Sequence, residues 1–79
     1  MKVTKQQTPE ELRAALGRRI KTLREQNGAT QFGFAQAVGI TQGQLSRWEC
    51  GRADISIYRL DQLARALGTT AQKLLEGLL

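Results

Sequence analysis

Residues 30–51 read TQFGFAQAVGITQGQLSRWECG, and they contain two short helix patterns separated by a single glycine. Thr30 can cap the first helix, because its hydroxyl oxygen can accept a hydrogen bond from a backbone N–H that has no partner within the helix. Gly39 predicts the end of that helix, since glycine readily adopts the left-handed conformation that closes one. Thr41 then caps a second helix, and Gln44, three residues later, completes a predicted Thr-x-x-Gln capping box.

Apolar residues recur in both helices at the spacing of a single helix face, which predicts that these faces are buried. They are Phe34, Ala35 and Val38 in the first helix and Leu45 and Trp48 in the second. The outer face of the second helix, and the residue just beyond its end, carry positive charges only. The residues there are Gln42, Gly43, Gln44, Ser46, Arg47 and Arg52.

Two helices joined by a short turn that contains glycine form the helix-turn-helix unit, whose second helix enters the major groove of DNA. The pattern T-Q-x-x-F-A-x-x-x-G-I-T-x-x-x-L-S-x-W-E-x-G resembles the phage-repressor and Cro type of helix-turn-helix, often called the XRE family. The resemblance extends from Leu12 to Leu75. It implies an all-α fold, a compact five-helix lambda-repressor-like DNA-binding domain with its central helix-turn-helix at residues 30–51.

The composition leaves little room for catalysis or for a metal site. The chain has 79 residues, no histidine and one cysteine. These counts exclude His/Cys metal sites, Ser-His or Cys-His nucleophile pairs and internal disulfides. We therefore predict one domain with no enzymatic activity, no metal and no cofactor. The lone Cys50 fits a reducing cytoplasm, and we predict an ordinary position at the end of the second motif helix.

The charge of the chain favours a nucleic-acid partner. The formal net charge is +5, and arginine supplies eight of the twelve cations. Arginine suits phosphate and guanine recognition, whereas lysine is more common on a merely solubilising surface. No run approaches the roughly 18 apolar residues of a membrane span, and the polar N-terminus is unlike a secretory signal, so we predict a cytoplasmic protein with no membrane partner.

The chain before Thr8 contains lysines and glutamines without periodicity, and residues 1–7 are predicted to be a flexible lead-in. The alternative is a basic arm in which Lys2 and Lys5 contact DNA phosphates. Residues 8–79 are predicted to form the helix-turn-helix DNA-binding domain.

Three further helices are predicted from caps and stops around the motif. Thr8 supplies a capping hydroxyl, Pro9 suits the first helical position and Glu11 completes a capping box, so a helix should run from there to about Gln26. Two helices follow the motif, one from the Ser56 cap to Gly68 and one that Thr70 can cap, from Ala71 to about Gly77. The short connections predict a compact orthogonal bundle rather than a coiled coil.

The N-terminal end of the recognition helix should lie nearest the DNA bases. The candidate base-contacting residues are Gln42, Gly43, Gln44, Ser46 and Arg47. Glutamine can offer a donor and acceptor pair to adenine, and arginine can donate two hydrogen bonds to guanine. Gly43 either permits a close backbone approach or reads nothing, and Gln44 could serve its cap instead. Trp48 is predicted to be core rather than a base-stacking platform, since it shares a face with Leu45.

Phosphate contacts are expected beside the bases, where they set register without reading sequence. The resemblance implies them at Gln31, Gln36 and Arg52, and Gln31 also stands at a helix N-terminus, which favours an anion. Arg18 and Arg19 either add nonspecific attraction or are ordinary solvated charges.

The resemblance also implies a structural ion pair between Arg24 of the first helix and Glu49 near the end of the recognition helix. The alternative is two separately solvated charges. Phe32 departs from the family pattern, where a polar residue is usual, so it is either a partner contact or incidental exposure.

The resemblance implies a small transcriptional repressor at a two-fold operator, and a homodimer, because one short recognition helix reads only a few base pairs. Some C-terminal leucines could form the dimer interface or pack within the domain, and these are Leu74, Leu75, Leu78 and Leu79. One alternative is the antitoxin of a toxin-antitoxin pair, which binds DNA and a toxin protein. Another is a protein-interaction module that no longer binds DNA.

Overall fold

Five α-helices and no strand make up the part of the chain that the computed structural model describes, residues 7–79. The helices are α1 (Pro9–Gln26), α2 (Gln31–Val38), α3 (Gln42–Glu49), α4 (Ile57–Ala66) and α5 (Ala71–Leu75). The all-α, five-helix prediction is therefore confirmed. None of these helices is both long and apolar enough to cross a membrane. The lead-in predicted over residues 1–7, with Lys2 and Lys5, lies outside the described residues except for Gln7, whose amide donates to the carbonyl of Leu78.

Every helix begins at a hydroxyl residue that accepts a hydrogen bond from a backbone N–H of the first turn, as the sequence predicted. The caps are Thr8, Thr30, Thr41, Ser56 and Thr70. At α1 the capping box is complete, and the backbone N–H of Thr8 donates to Glu11, which lowers the pKa of that carboxyl. At α3 only half of the predicted box forms. Gln44 N donates to Thr41 Oγ1 at 3.1 Å, but the exposed Gln44 side chain does not return to the cap.

The turn between α2 and α3 depends on Gly39, which has a φ of 83°. Only glycine adopts this left-handed conformation at little cost. Both Gly39 N and Ile40 N then donate to the carbonyl of Ala35, so the end of α2 is closed and α3 can start after one further residue. The last helix ends earlier than predicted, at Leu75 rather than near Gly77, because Glu76 adopts an extended ψ of 126°.

The hydrophobic core receives side chains from all five helices. Its buried apolar members are Ile20, Phe34, Ala35, Val38, Leu45, Trp48, Leu60, Leu63, Ala64, Leu67 and Leu74. Trp48 is 3% exposed, which confirms that it is a core residue. Leu74 packs within the domain as well, so it is not available for a dimer interface, whereas Leu79 is 83% exposed.

Arg19 has a structural role that neither sequence interpretation anticipated. Its guanidinium donates to the carbonyl of Leu74 at 3.2 Å and also to the carbonyl of Glu76. Carbonyls at the end of a helix have no partner within that helix, so this arginine caps α5 and fastens it to α1. The interpretation of Arg19 as an ordinary solvated charge is therefore wrong, while its nonspecific attraction for DNA stays a prediction.

Candidate nucleic-acid interface

The C-terminal end of α3 is buried against α1. Trp48 and Glu49 are buried there, and the indole N–H of Trp48 donates to the carbonyl of Asp54 at 3.2 Å. On the α1 side, Arg13 reaches the carboxylate of the same Asp54 at 3.1 Å. The segment that follows α3 is thus hydrogen-bonded through Asp54 both to α3 and to α1.

Two glycines let α1 and the end of α3 approach each other closely. A Cβ atom on Gly17, in the middle of α1, would lie 2.4 Å from the carbonyl oxygen of Trp48 and 2.6 Å from that of Glu49. A Cβ atom on Gly51 would lie 2.8 Å from the Cα of Ala14, and Gly51 also has a φ of 71°. Because the opposing atoms are backbone, no side-chain movement could relieve either contact. These glycines therefore fix the distance between α1 and the recognition helix.

A buried ion pair lies beside this contact. Arg24 donates through Nε to Glu49 Oε2 at 2.7 Å and through Nη2 to Oε1 at 3.1 Å, in the two-bond geometry that favours arginine with a carboxylate. The side chains are 8% and 2% exposed, respectively. The hydrogen bond to Glu49 raises the pKa of Arg24 above its ordinary value. Arg24 Nη1 also donates to the carbonyl of Ala29, so the pair joins α1, the α1–α2 connection and α3.

A chain of hydrogen bonds leads from this pair to the other end of α3. The amide nitrogen of Gln31 donates to Glu49 Oε1 at 3.0 Å, and the amide oxygen of Gln31 accepts from Gln42 Nε2 at 3.3 Å. Gln31 is half-buried, while Gln42 is exposed. The side chain at the start of α2 therefore orients the first side chain of α3.

The outward face of α3 has few contacts of this kind. Gln42, Gly43, Gln44 and Arg47 are exposed, and Ser46 is half-buried. The predicted phosphate-contacting residues Gln36 and Arg52 are also exposed. Neither α2 nor α3 has an acidic residue in its first turn, and the carboxylate of Glu49 is buried. The exposed face of α3 is consequently polar, with positive charge at Arg47 and, beyond the end of the helix, at Arg52. On α2 the side chain of Phe32 is 61% exposed and adds an apolar group to this surface.

Sequence reasoning missed two parts of this arrangement. It did not identify Gly17, although an isolated glycine inside a helix pattern is a signal of close packing. It also assigned Gln31 to a phosphate and did not foresee the bonds to Glu49 and Gln42. The spacing of a single helix carries no information on that contact, because the three residues come from two helices.

The chain is similar to a described protein family and to a curated antitoxin. A family model described as a helix-turn-helix domain matches residues 15–76. Among curated proteins, the antitoxin PezA of Streptococcus pneumoniae is 41% identical over 46 residues, which make up 58% of this chain. The match spans only 29% of the length of PezA.

Two solved structures resemble the chain over most of their own length. The clp gene regulator ClgR of Corynebacterium glutamicum has a TM-score of 0.78 at 34% identity, covering 81% of this chain and 82% of that one. The restriction-modification controller protein C.AhdI of Aeromonas hydrophila has a TM-score of 0.74 at 26% identity, covering 77% of this chain and 92% of that one.

Proposed function

This chain belongs to the helix-turn-helix domain family, as the pattern of residues 30–51 implied, and we propose that it binds double-stranded DNA sequence-specifically with α3 in the major groove. It acts as a small transcriptional repressor that occupies a two-fold operator. The net charge of +5 supports a polyanionic partner. No catalytic step belongs to this role.

One observation carries the proposal more than any other. The C-terminal end of α3 is held by backbone contacts and a buried ion pair, while its N-terminal turn exposes Gln42 and Gln44 to solvent. A helix that reads base edges needs this combination, because it must be held rigidly and still present hydrogen-bonding groups at its N-terminal end.

The proposed base contacts come from the exposed face of α3, namely Gln42, Gly43, Gln44, Ser46 and Arg47. Arg47 suits guanine and Gln42 suits adenine, by the hydrogen bonds that each can offer. The hydrogen bond that Gln42 donates to the amide oxygen of Gln31 orients the Gln42 amide, so Gln31 supports the proposed base contact. Gln36 and Arg52 contact phosphates on either side and set the register.

Two copies are needed for useful specificity. A single helix with five candidate contacts reads only a few base pairs, whereas two copies on half-sites about one helical turn apart read twice as many. The protein therefore acts as a homodimer on its operator, in the cytoplasm.

Selection from a pool of random duplex DNA, repeated over a salt series, tests the proposal. The wild-type chain should enrich a two-fold symmetric site, and its affinity should fall steeply with salt because phosphate contacts release counterions. Arg47→Ala should relax the preference at one position of each half-site. Arg65→Ala is the matched control, because it removes another exposed arginine, from α4, and should leave the preference unchanged.

A chain that enriches no site and shows only salt-sensitive background binding would contradict operator recognition. In that case a protein-interaction module without DNA binding would become the better explanation.

The likeness to PezA supports a second candidate function, the antitoxin of a toxin-antitoxin pair. An antitoxin of this kind binds DNA with the same motif and also sequesters a toxin protein. Coexpression of a candidate toxin with this chain separates the two functions. Rescue of growth by the wild-type chain and also by a variant that cannot bind DNA would favour the antitoxin, and lack of rescue would favour the simple repressor.

A further inference from the structure

The eight glycines of the chain divide into those whose backbone conformation or packing requires glycine and those at which it is not required. Five have a positive φ of 71–83°, and these are Gly28, Gly39, Gly51, Gly68 and Gly77. Gly17 faces backbone atoms at 2.4–2.9 Å, where no Cβ would fit. At Gly33 a Cβ would lie 3.1 Å from Thr30 Oγ1, the hydroxyl that caps α2. Residues with side chains occupy the same position after the hydroxyl cap in the other four helices, so this contact does not require glycine.

Gly43 has no such explanation within the protein. Its φ is not positive, and a Cβ built on it would have no heavy atom of a neighbouring residue within 4 Å. Alanine would therefore fit at this position in the free protein. Glycine in a helix is less stable than alanine by up to about 1 kcal/mol, so the free protein gains nothing from it.

The position of this glycine is informative. Gly43 is the second residue of α3, between Gln42 and Gln44, in the exposed turn that the proposed function directs at the DNA. The absence of a Cβ atom in that turn has an effect only when another molecule occupies the space that the Cβ atom would fill. On the basis of the proposed function, that molecule is the DNA duplex.

We propose that Gly43 is a specificity-determining residue, and that its bare α-carbon accommodates the C5-methyl group of a thymine in the operator. An α-carbon offers no side-chain donor or acceptor. A base nitrogen or oxygen pressed against it would lose its water without gaining a partner, which is unfavourable. The thymine methyl is the apolar group that the major groove presents, so it is the group that fits.

The proposal can be tested by adding a methyl group on the protein side of this contact and by removing one on the DNA side. Gly43→Ala adds one methyl group to the protein, and replacing a single thymidine of the selected site by deoxyuridine removes one from the DNA. Gly43→Ala should bind the thymidine site about ten-fold more weakly than the wild-type chain, the effect of losing one well-matched contact. At one thymidine of each half-site, the deoxyuridine replacement should weaken the wild-type chain and restore the variant.

Two controls test whether the weaker binding of Gly43→Ala comes from the contact with thymine. The thermal midpoint of Gly43→Ala should equal or exceed that of the wild-type chain, by up to about 8 °C, because alanine fits the helix better. Affinity for a scrambled duplex should be the same for both proteins, since phosphate contacts are untouched.

The outcomes separate this inference from the function on which it rests. If the wild-type chain selects no site, both the proposed operator binding and the inference about Gly43 are wrong. If the wild-type chain selects a site that Gly43→Ala binds equally well, or if the midpoint of the variant falls, the inference is wrong while operator binding stands. Weaker binding by the variant that no deoxyuridine replacement restores would overturn the assignment to thymine.

Discussion

At its C-terminal end α3 lies against the backbone of α1, whereas at its N-terminal end the same helix is exposed to solvent. Gly17 and Gly51 allow backbone contact at the first end, and the ion pair of Arg24 with Glu49 lies beside it. At the second end Gln42, through its bond to Gln31, is the residue joined by its side chain to another helix. One eight-residue helix therefore has a packed C-terminal end and an exposed N-terminal end.

This difference shows that α1 holds the recognition helix α3 in place as much as α2, the other helix of the motif, does. The helix-turn-helix unit is usually described as two helices, yet Gly17, Ala14 and Arg24 all belong to α1. Substitutions at the C-terminal end of α3 should therefore lower stability, and substitutions at the N-terminal end should lower DNA binding alone.

The largest loss of stability is expected from Arg24→Met, which keeps much of the side-chain volume but leaves Glu49 buried without its counter-charge. Breaking one side of a buried pair typically costs about 3–5 kcal/mol of unfolding free energy, measurable by urea denaturation. Adding Glu49→Met to Arg24→Met should recover part of this loss, because the uncompensated charge is then gone. Arg65→Ala, which breaks an exposed pair with Asp61, should have little effect. If Arg24→Met lowered the free energy of unfolding as little as Arg65→Ala, the buried ion pair would not be what holds the C-terminal end of α3.

Gly17→Ala should produce the next largest effect. Its new methyl group would meet the carbonyl oxygens of Trp48 and Glu49, and overpacking of this kind costs about 1–3 kcal/mol. The thermal midpoint should fall by roughly 4–8 °C for each kcal/mol lost in a domain of this size. Gly43→Ala is the matched control, since it makes the same chemical change at an open position and should not lower the midpoint. Equal midpoints for the two variants would show that α1 and α3 can separate without cost.

Trp48→Phe should have a smaller effect at the same end. The variant loses the indole hydrogen bond to the Asp54 carbonyl and some buried volume, for an expected cost of about 1–2 kcal/mol. Arg13→Ala removes the other tie to Asp54 through a more exposed pair, so its effect on the urea midpoint should be smaller still. A greater loss for Arg13→Ala would mean that the connection after α3 is held mainly from α1.

The helices were predictable from local chemistry, and the packed end of α3 was not. Hydroxyl caps such as Thr8 and stops such as Gly39 act on their own neighbours in sequence, so the pattern of five helices could be read directly. Arg19 and Gly17 act on residues about 30 to 60 positions away in the chain. Their roles depend on how the helices pack, which no local spacing encodes.

The candidate site divides in the same way. The polar face around Gln42 and Arg47 follows from helical periodicity and needed no structure. The resemblance to a family supplied the Arg24–Glu49 pair, which the structure places at 2.7 Å. The bridging position of Gln31 required the relative placement of α2 and α3, and the open space over Gly43 required coordinates as well.

The smallest change in stability is expected from Gln42→Ala at the exposed N-terminal end of α3. The Gln42 side chain is exposed and its one bond, to Gln31, spans 3.3 Å, so the free energy of unfolding should change by less than about 0.5 kcal/mol. Binding to the selected operator should nevertheless weaken by about ten-fold, because the proposed base contact and the bond that orients it are both lost. Gln72→Ala, at an exposed glutamine of α5, should change neither quantity. If Gln42→Ala lowered stability as much as Trp48→Phe, the two ends of α3 would contribute equally to stability. The proposal that the exposed end is reserved for contacts with DNA bases would then be contradicted.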